Sequence, residues 1–359
     1  MLFFEALSLL FFTTILASAV DLEFHCSIVH NFSIPVDRKI FSSTTNILET
    51  KYPNDDEQEE VCIIASVAIY SVGSSVSFPS YRSIELFYPA IPFIGPNLFR
   101  QFDATTVNLE LRKGTLKELY YGLSHLERLH ISDTGLQTFD VLPVLHGSLQ
   151  VLVIHEPQIE KLPANIRYLV GLKVLDLSGC ALTSVDLGNF ESLVALNVLR
   201  LADNRLTTVT VGSELTLPNL ILFDARQNRL LKIDRFPDMF PALKYTRIMQ
   251  NQWDCEWVSA IREKVWLRNI TVLGNDFRCV GRMSNGGLCC SYSSPARARL
   301  AISKAMLAVL GDLNSSGPRE HSVKEGLKLQ VYENETVDGV IGLEMENVGI
   351  YLQDPINKV

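Results

Sequence analysis

Between residues 104 and 253, apolar residues return in one arrangement: a short alternation of apolar and polar positions, a break, and then the same alternation again. Written in the frame L-x-x-L-x-L-x-x-N-x-L, the segments TVNLELRKGTL, LERLHISDTGL, LQVLVIHEPQI, LKVLDLSGCAL, LNVLRLADNRL, LILFDARQNRL and LKYTRIMQNQW follow one another. The fourth position falls on Leu109, Leu129, Leu152, Leu175, Leu199, Phe223 and Thr246, in steps of 20, 23, 23, 24, 24 and 23 residues. Within a copy, Leu175 and Leu177 alternate with Val174 and Asp176, which predicts a short strand with one buried and one solvated face. An eighth, degenerate copy precedes these around Ile84 to Ile91, where YPAIPFIGP interrupts the pattern with prolines.

Seven registered copies at this period define a leucine-rich repeat. The predicted fold is an α/β solenoid, a horseshoe with a parallel concave sheet and disulfide-bonded caps. One copy cannot bury enough apolar surface to offset the ordering of its own backbone, so neighbours and capped ends are obligatory. The ninth position is Asn204, Asn228 and Asn251 in three copies, where an amide side chain can satisfy backbone groups as the strand turns away. Cys180 takes that position in another copy and reads as a small, buried, reduced residue. Two columns stand out on the side of the strands facing away from the leucines. The fifth position supplies Asp176, Arg200, Asp224 and Arg247, an alternating ladder whose exposed pairs would each contribute roughly 0–1 kcal/mol. The third supplies Val151, Val174, Val198, Leu222 and Tyr245, which on a wet face would form an exposed apolar patch and a candidate partner surface.

The ends place the chain in a compartment. Residues 1–19, MLFFEALSLLFFTTILASA, have the apolar core and small-x-small ending of a cleaved signal peptide, and no later stretch has the length of a membrane span. The expected location is therefore extracellular, and the sequence divides into a signal peptide (1–19), an N-terminal cap (20–80), repeats (81–253), a cysteine-containing C-terminal cap (254–302) and a helix and tail (303–359). Four N-glycosylation sequons, at Asn31, Asn269, Asn314 and Asn334, fit that compartment. In it thiols can pair, and a Cys26–Cys62 bridge would pin an edge strand over the first repeat. With 40 acidic against 32 basic residues the net charge is −8, which argues against nucleic acid and anionic membranes as partners.

The last repeat runs through Asn251-Gln252-Trp253-Asp254-Cys255-Glu256-Trp257 into a helical stretch, then Cys279 and the adjacent pair Cys289-Cys290. This resembles the C-terminal cap of extracellular leucine-rich-repeat proteins, with Trp257 in place of the second cysteine of their C-x-C. Neighbouring cysteines rarely bond to each other. Either each takes a separate partner such as Cys255 and Cys279, or one of them bridges to another chain. Over about residues 1–302 the combination of signal peptide, repeats, N-W-D-C cap and closing Cys-Cys resembles the mosquito leucine-rich immune (LRIM) protein family. The resemblance implies circulation in haemolymph and disulfide-linked complexes, with another leucine-rich-repeat chain, that hold a complement-like thioester protein. The family's long C-terminal coiled coil has no counterpart here. Beyond a break at Gly311 to Pro318, the tail LKLQVYENETVDGVIGLEMENVGIYLQ shows alternating, β-branched character without sustained heptads, and the chain reads as a short member.

The sequence holds no H-E-x-x-H, G-x-S-x-G or phosphate-cradling glycine loop, no metal-ligand spacing and no cofactor motif. His130 and His155, on neighbouring repeats, read as solvated surface residues. Two non-enzymatic functions fit: an innate-immune recognition or scaffold factor working by protein–protein interaction through the concave face, or an adhesive or developmental repeat protein that binds a receptor ectodomain.

Overall fold

Short alternating segments separated by turns can pair only with their equivalents in the next copy, and they do so in strict register. A computed structural model describes residues 22–23, 27–29, 60–69, 76–102, 104–212 and 214–293. The signal segment, Cys26, Asn31, Asn314, Asn334 and the helix and tail lie outside them. The described strands of the main sheet are β1 (Ser27–Val29), β2 (Val61–Ala65), β3 (Ser83–Phe87), β4 (Asn108–Arg112), β5 (Arg128–Ser132), β6 (Val151–His155), β7 (Val174–Asp176), β8 (Val198–Arg200), β9 (Leu222–Asp224) and β10 (Tyr245–Arg247). A cap follows, built from β11 (Trp253–Asp254), helix α1 (Cys255–Leu267), β12 (Thr271–Val272), β13 (Met283–Asn285) and β14 (Leu288–Ser291). Strands β1 to β10 and β12 form one eleven-stranded sheet, parallel throughout except for the antiparallel edge strand β1. The degenerate copy is present as β3. The parallel ladder begins one strand earlier still, at β2, within the segment expected to be cap.

The leucine positions form the core. Leu109, Leu129, Leu152, Leu175, Leu199 and Phe223 stack in register and are buried, as are Leu111, Ile131, Ile154, Leu177 and Leu201 two residues on. Thr246 fits the same column because its hydroxyl donates to the Phe223 carbonyl at 3.1 Å, so no buried polar group is left open. Opposite the sheet each coil returns through short parallel strands, such as Glu118–Tyr121 beside Thr138–Val141, or through single turns of 3-10 helix.

Adjacent coils are tied by side chains at the ninth position. Asn204 accepts from Leu182 N–H (3.0 Å) and donates to the Leu177 carbonyl (2.8 Å); Asn228 accepts from Leu206 N–H (2.9 Å) and donates to Leu201 (2.8 Å). Asn251 repeats the pattern with Leu230 N–H (3.0 Å) and Ala225 (2.9 Å). In the Cys180 copy the thiol donates to the Ile154 carbonyl at 3.3 Å. One copy earlier, Pro157 stands in the ninth position and offers no side-chain hydrogen bond. There the preceding residue, Glu156, is buried and reaches back, its carboxylate accepting from Thr134 N–H (2.6 Å), Thr134 Oγ1 (2.7 Å) and Gly135 N–H (3.0 Å).

The C-terminal cap closes the core with aromatic rings and disulfides. Asp254 caps α1, its Oδ1 accepting from Glu256 N–H (2.8 Å) and Trp257 N–H (3.3 Å), and Cys255, Val258 and Ile261 form the buried face. Cys255 bonds to Cys290 and Cys279 to Cys289. The adjacent cysteines therefore take separate partners, and neither is left to join another chain. Trp257, standing where similar caps have a cysteine, stacks on Trp253 with ring centroids 4.4 Å apart and donates to the Ile233 carbonyl (3.1 Å). Asp276 joins this closure to the last repeat, accepting from Gln250 N–H (2.8 Å) and Cys289 N–H (2.7 Å). At the other end Cys62 is buried on β2, opposite Ile28 of β1.

Candidate functional site

Sheet register aligns the residues that point away from the leucine core into columns. The fifth-position column runs Glu85, Glu110, His130, Val153, Asp176, Arg200, Asp224, Arg247 across β3 to β10. Each strand lies about 4.8 Å from the next, so opposite charges on neighbouring strands meet. Arg200 Nη1 lies 3.1 Å from Asp176 Oδ2, and Arg247 Nη1 lies 3.9 Å from Asp224 Oδ2. The expected ladder forms, but its carboxylates are not exposed: Asp176 and Asp224 are buried. This corrects the picture of surface ion pairs, because side chains on both flanking strands close over a short Asp while the longer Arg reaches past it.

Two further columns complete the site. The residue two positions on supplies Arg112, His155 and Arg226, none of which the frame drew attention to as charge partners. Arg112 Nη1 lies 3.4 Å from Glu85 Oε1, and its Nε lies 3.4 Å from Glu110 Oε1. His130 Nδ1 approaches the same Glu110 oxygen at 3.1 Å. The His130 and His155 rings meet edge to face with centroids 5.7 Å apart, and His155 Nε2 lies 3.4 Å from Asp176 Oδ1. Val153 interrupts the fifth column, and the two imidazoles carry the chain of contacts diagonally around it. The histidines are therefore parts of an ionic network rather than isolated solvated residues. Arg226 Nε lies 3.6 Å from Asp224 Oδ2.

Burial divides the network into two layers. The side chains of Glu85 and Asp224 are 4% and 3% exposed, whereas Arg112, His155 and Arg226 are 28%, 41% and 25% exposed. Carboxylates thus form the floor and cationic or imidazole groups the wet layer of an otherwise acidic protein. Burial pushes the Glu85 carboxyl above its ordinary value, helped by the neighbouring Glu110 and opposed by Arg112. Burial likewise raises Asp224 against the pull of Arg226, Arg247 and Arg200. At Asp176 burial acts in the same direction, but the His155 hydrogen bond and Arg200 outweigh it and hold the carboxyl well below the usual range.

The third-position column also differs from expectation. Val151, Val174, Val198 and Leu222 form a separate cluster with Val153 and Tyr245 packed against it, and none of the four is more than 8% exposed. At strand spacing each valine is covered by its neighbours, so the column is a narrow apolar ridge and not an open patch; Tyr245, half-buried, is its accessible end. Of the four sequons, Asn269 lies within the described residues and is exposed.

The site contains no nucleophile beside a base. Among the described residues no group of three or more His, Cys, Asp or Glu side chains could hold a metal ion. Cys180 is buried and its thiol is pushed up to about 11 by burial, so it is not a reactive thiolate at neutral pH. A hollow of about 470 Å³ lies in the loops at Leu123, His125, Val144, Leu145 and His146, and none of the residues of the ionic network lines it. Among the described residues no helix is long and apolar enough to cross a membrane.

The coil, the register and the asparagine ladder define a leucine-rich-repeat solenoid. The sequence profile of the leucine-rich repeat family matches residues 170–230. No curated protein sequence matches the chain. Solved structures of similar fold include the LRIM1/APL1C complex, at 17% identity and a TM-score of 0.46 over 70% of this chain. The chain spans about half, 54%, of the length of that structure's chain. The APL1 leucine-rich repeat domain is 18% identical with a TM-score of 0.44, covering 62% of this chain and 67% of that one. A leucine-rich-repeat protein of Leptospira interrogans is 17% identical with a TM-score of 0.35, covering 58% and 65%.

Proposed function

We propose that this is a secreted protein-binding solenoid, an innate-immune recognition or scaffold factor that holds an extracellular protein against its concave sheet. The observation that carries the binding reading is the two-layered network from Glu85 to Arg247, laid beside the Val151–Tyr245 ridge. It forms a preorganised polar strip with accessible cationic tips and an aromatic end. Interfaces of this kind draw affinity from buried aromatic and arginine anchors and specificity from charge arrangement.

Two features support the extracellular and immune part. One is the signal-like segment at 1–19, with two disulfides in the cap. The other is the resemblance of the N-W-D-C cap and closing Cys-Cys to the leucine-rich immune family. Internal pairing of Cys289 and Cys290 favours a self-contained module or a non-covalent complex over one linked through those cysteines. A complement-like thioester protein is the first partner to test. Tyr245→Ala should weaken partner binding on the order of 30-fold, corresponding to about 2 kcal/mol for truncation of an aromatic anchor. Leu145→Ala, in the loops away from the strip, should leave it unchanged. Titration of the purified secreted variants against the partner decides, and equal binding by both variants and the parent would refute a concave-face site.

A further inference from the structure

We propose that Asn269 carries an N-linked glycan whose first sugar lies against the indole of Trp266, so that carbohydrate finishes the C-terminal end of the long sheet. The inference rests on the reading that the chain is secreted, since the transferring enzyme works inside the secretory pathway. In the transfer, the Asn269 side-chain nitrogen bonds to C1 of a lipid-linked oligosaccharide. The bond from C1 to the lipid pyrophosphate breaks, the amide gives up one proton and the lipid pyrophosphate leaves.

Three observations meet at this point. First, the sequon Asn269-Ile270-Thr271 runs from the turn after α1 into the first residue of β12, with Ile270 buried and both Asn269 and Thr271 exposed. The folded chain therefore accommodates a bulky group on Asn269 without opening its core. Second, Asn269 ends the helix in a left-handed conformation, φ 51°, which asparagine adopts more readily than most residues. In that turn its N–H donates to the Trp266 carbonyl at 3.0 Å, so the sugar is attached one short turn from the tryptophan. Third, Trp266 and Leu267 are 67% and 63% exposed, an unusual cost for large apolar side chains beside a well-packed cap. The flat π-face of an indole attracts the C–H face of a pyranose ring, which buries apolar area on both.

The position also matters for the sheet. Strand β12 ends the eleven-stranded order and pairs with β10 on one side, with no described strand on the other. Beside an edge that no described strand covers, an exposed tryptophan and leucine invite unwanted pairing, and a hydrated glycan there blocks approach.

The test uses the full chain secreted from cultured eukaryotic cells, with glycopeptide mass mapping and thermal melting. Thr271→Val removes the sequon but keeps a β-branched strand residue, Thr271→Ser keeps the sequon, and Trp266→Ala removes the platform. We expect sugar on Asn269. We also expect Thr271→Val to lower Tm by several degrees, Thr271→Ser to behave as the parent, and the Thr271→Val effect to vanish in a Trp266→Ala background. Enzymatic removal of the glycan from the folded parent supplies the same comparison if Thr271→Val is not secreted. An equal Tm loss with and without Trp266 overturns the stacking. A secreted chain with Asn269 bare overturns the proposal and leaves secretion standing. A chain retained in the cytosol with every sequon bare overturns the secretion reading, and this proposal with it.

Discussion

Asp176 and Asp224 occupy the same column, two strands apart, and are driven in opposite directions by what surrounds them. Asp176 is held low because His155 and Arg200 outweigh its burial; Asp224 is raised because its arginines do not. For Asp176 the folded value lies below the unfolded one, near 3.9. Its contribution to stability is therefore complete well above pH 4 and is lost as pH falls through the folded value. Asp176→Asn should cost about 1–3 kcal/mol at neutral pH by leaving buried partners poorly satisfied, and that gap should narrow below pH 4. Asp224 has the reverse sign, since a raised folded value means that stability is gained as pH falls from above it. Urea midpoints of the parent and of each Asn variant across pH 3–8 would check this, and parallel curves for the two aspartates would contradict it. The alternation Asp-Arg-Asp-Arg is legible in the sequence. What splits the two acids is not, because burial acts on both alike and the difference comes from partners such as His155, which stands two positions along its strand in another column.

At the scale of the repeat, backbones of neighbouring coils come close enough that one side chain decides whether they fit. A Cβ on Gly171 would sit 2.1 Å from the Gly147 carbonyl oxygen, a backbone atom that cannot swing away, whereas a Cβ on Gly147 would meet nothing within 4 Å. Gly171→Ala should therefore destabilise the chain by about 1–3 kcal/mol as an overpacked site. Gly147→Ala, the control, should stay within about 0.5 kcal/mol of the parent. Thermal melting of the two single variants separates them, and similar melting would show that the coils are not in contact there. The repeat itself was written plainly in the leucine spacing, and the asparagine ladder in Asn204, Asn228 and Asn251. The substitute at Glu156 was hidden because the residue in the ladder position is Pro157, and the work passes to its neighbour. Strand β2 is legible as a strand in Val61-Cys62-Ile63-Ile64-Ala65, but without a leucine frame only its pairing with β3 reveals it as a rung of the ladder. The valine column is legible in the sequence as one apolar register. Its burial is not, because single-strand alternation does not show that neighbouring strands cover one another.

For the whole molecule, a parallel sheet of one strand per coil has two ends that must be closed, and this chain closes them differently. An antiparallel strand lies on the first edge, while aromatic stacking from Phe223 through Phe240, Phe236 and Trp257 to Trp253 leads the core into a cap held by two disulfides. Caps at both ends of the core leave the sheet face as a broad surface of the described residues, with its ionic strip held by contacts between strands. The proposed partner site is this strip. It is tested most directly by placing a photo-crosslinking amino acid at Tyr245 or Arg226 on the sheet, or at Leu145 or Glu263 away from it, in the secreted chain. One shared crosslinked partner is expected from the two sheet positions and none from the other two. Crosslinks from Leu145 or Glu263, with none from Tyr245 or Arg226, would contradict it.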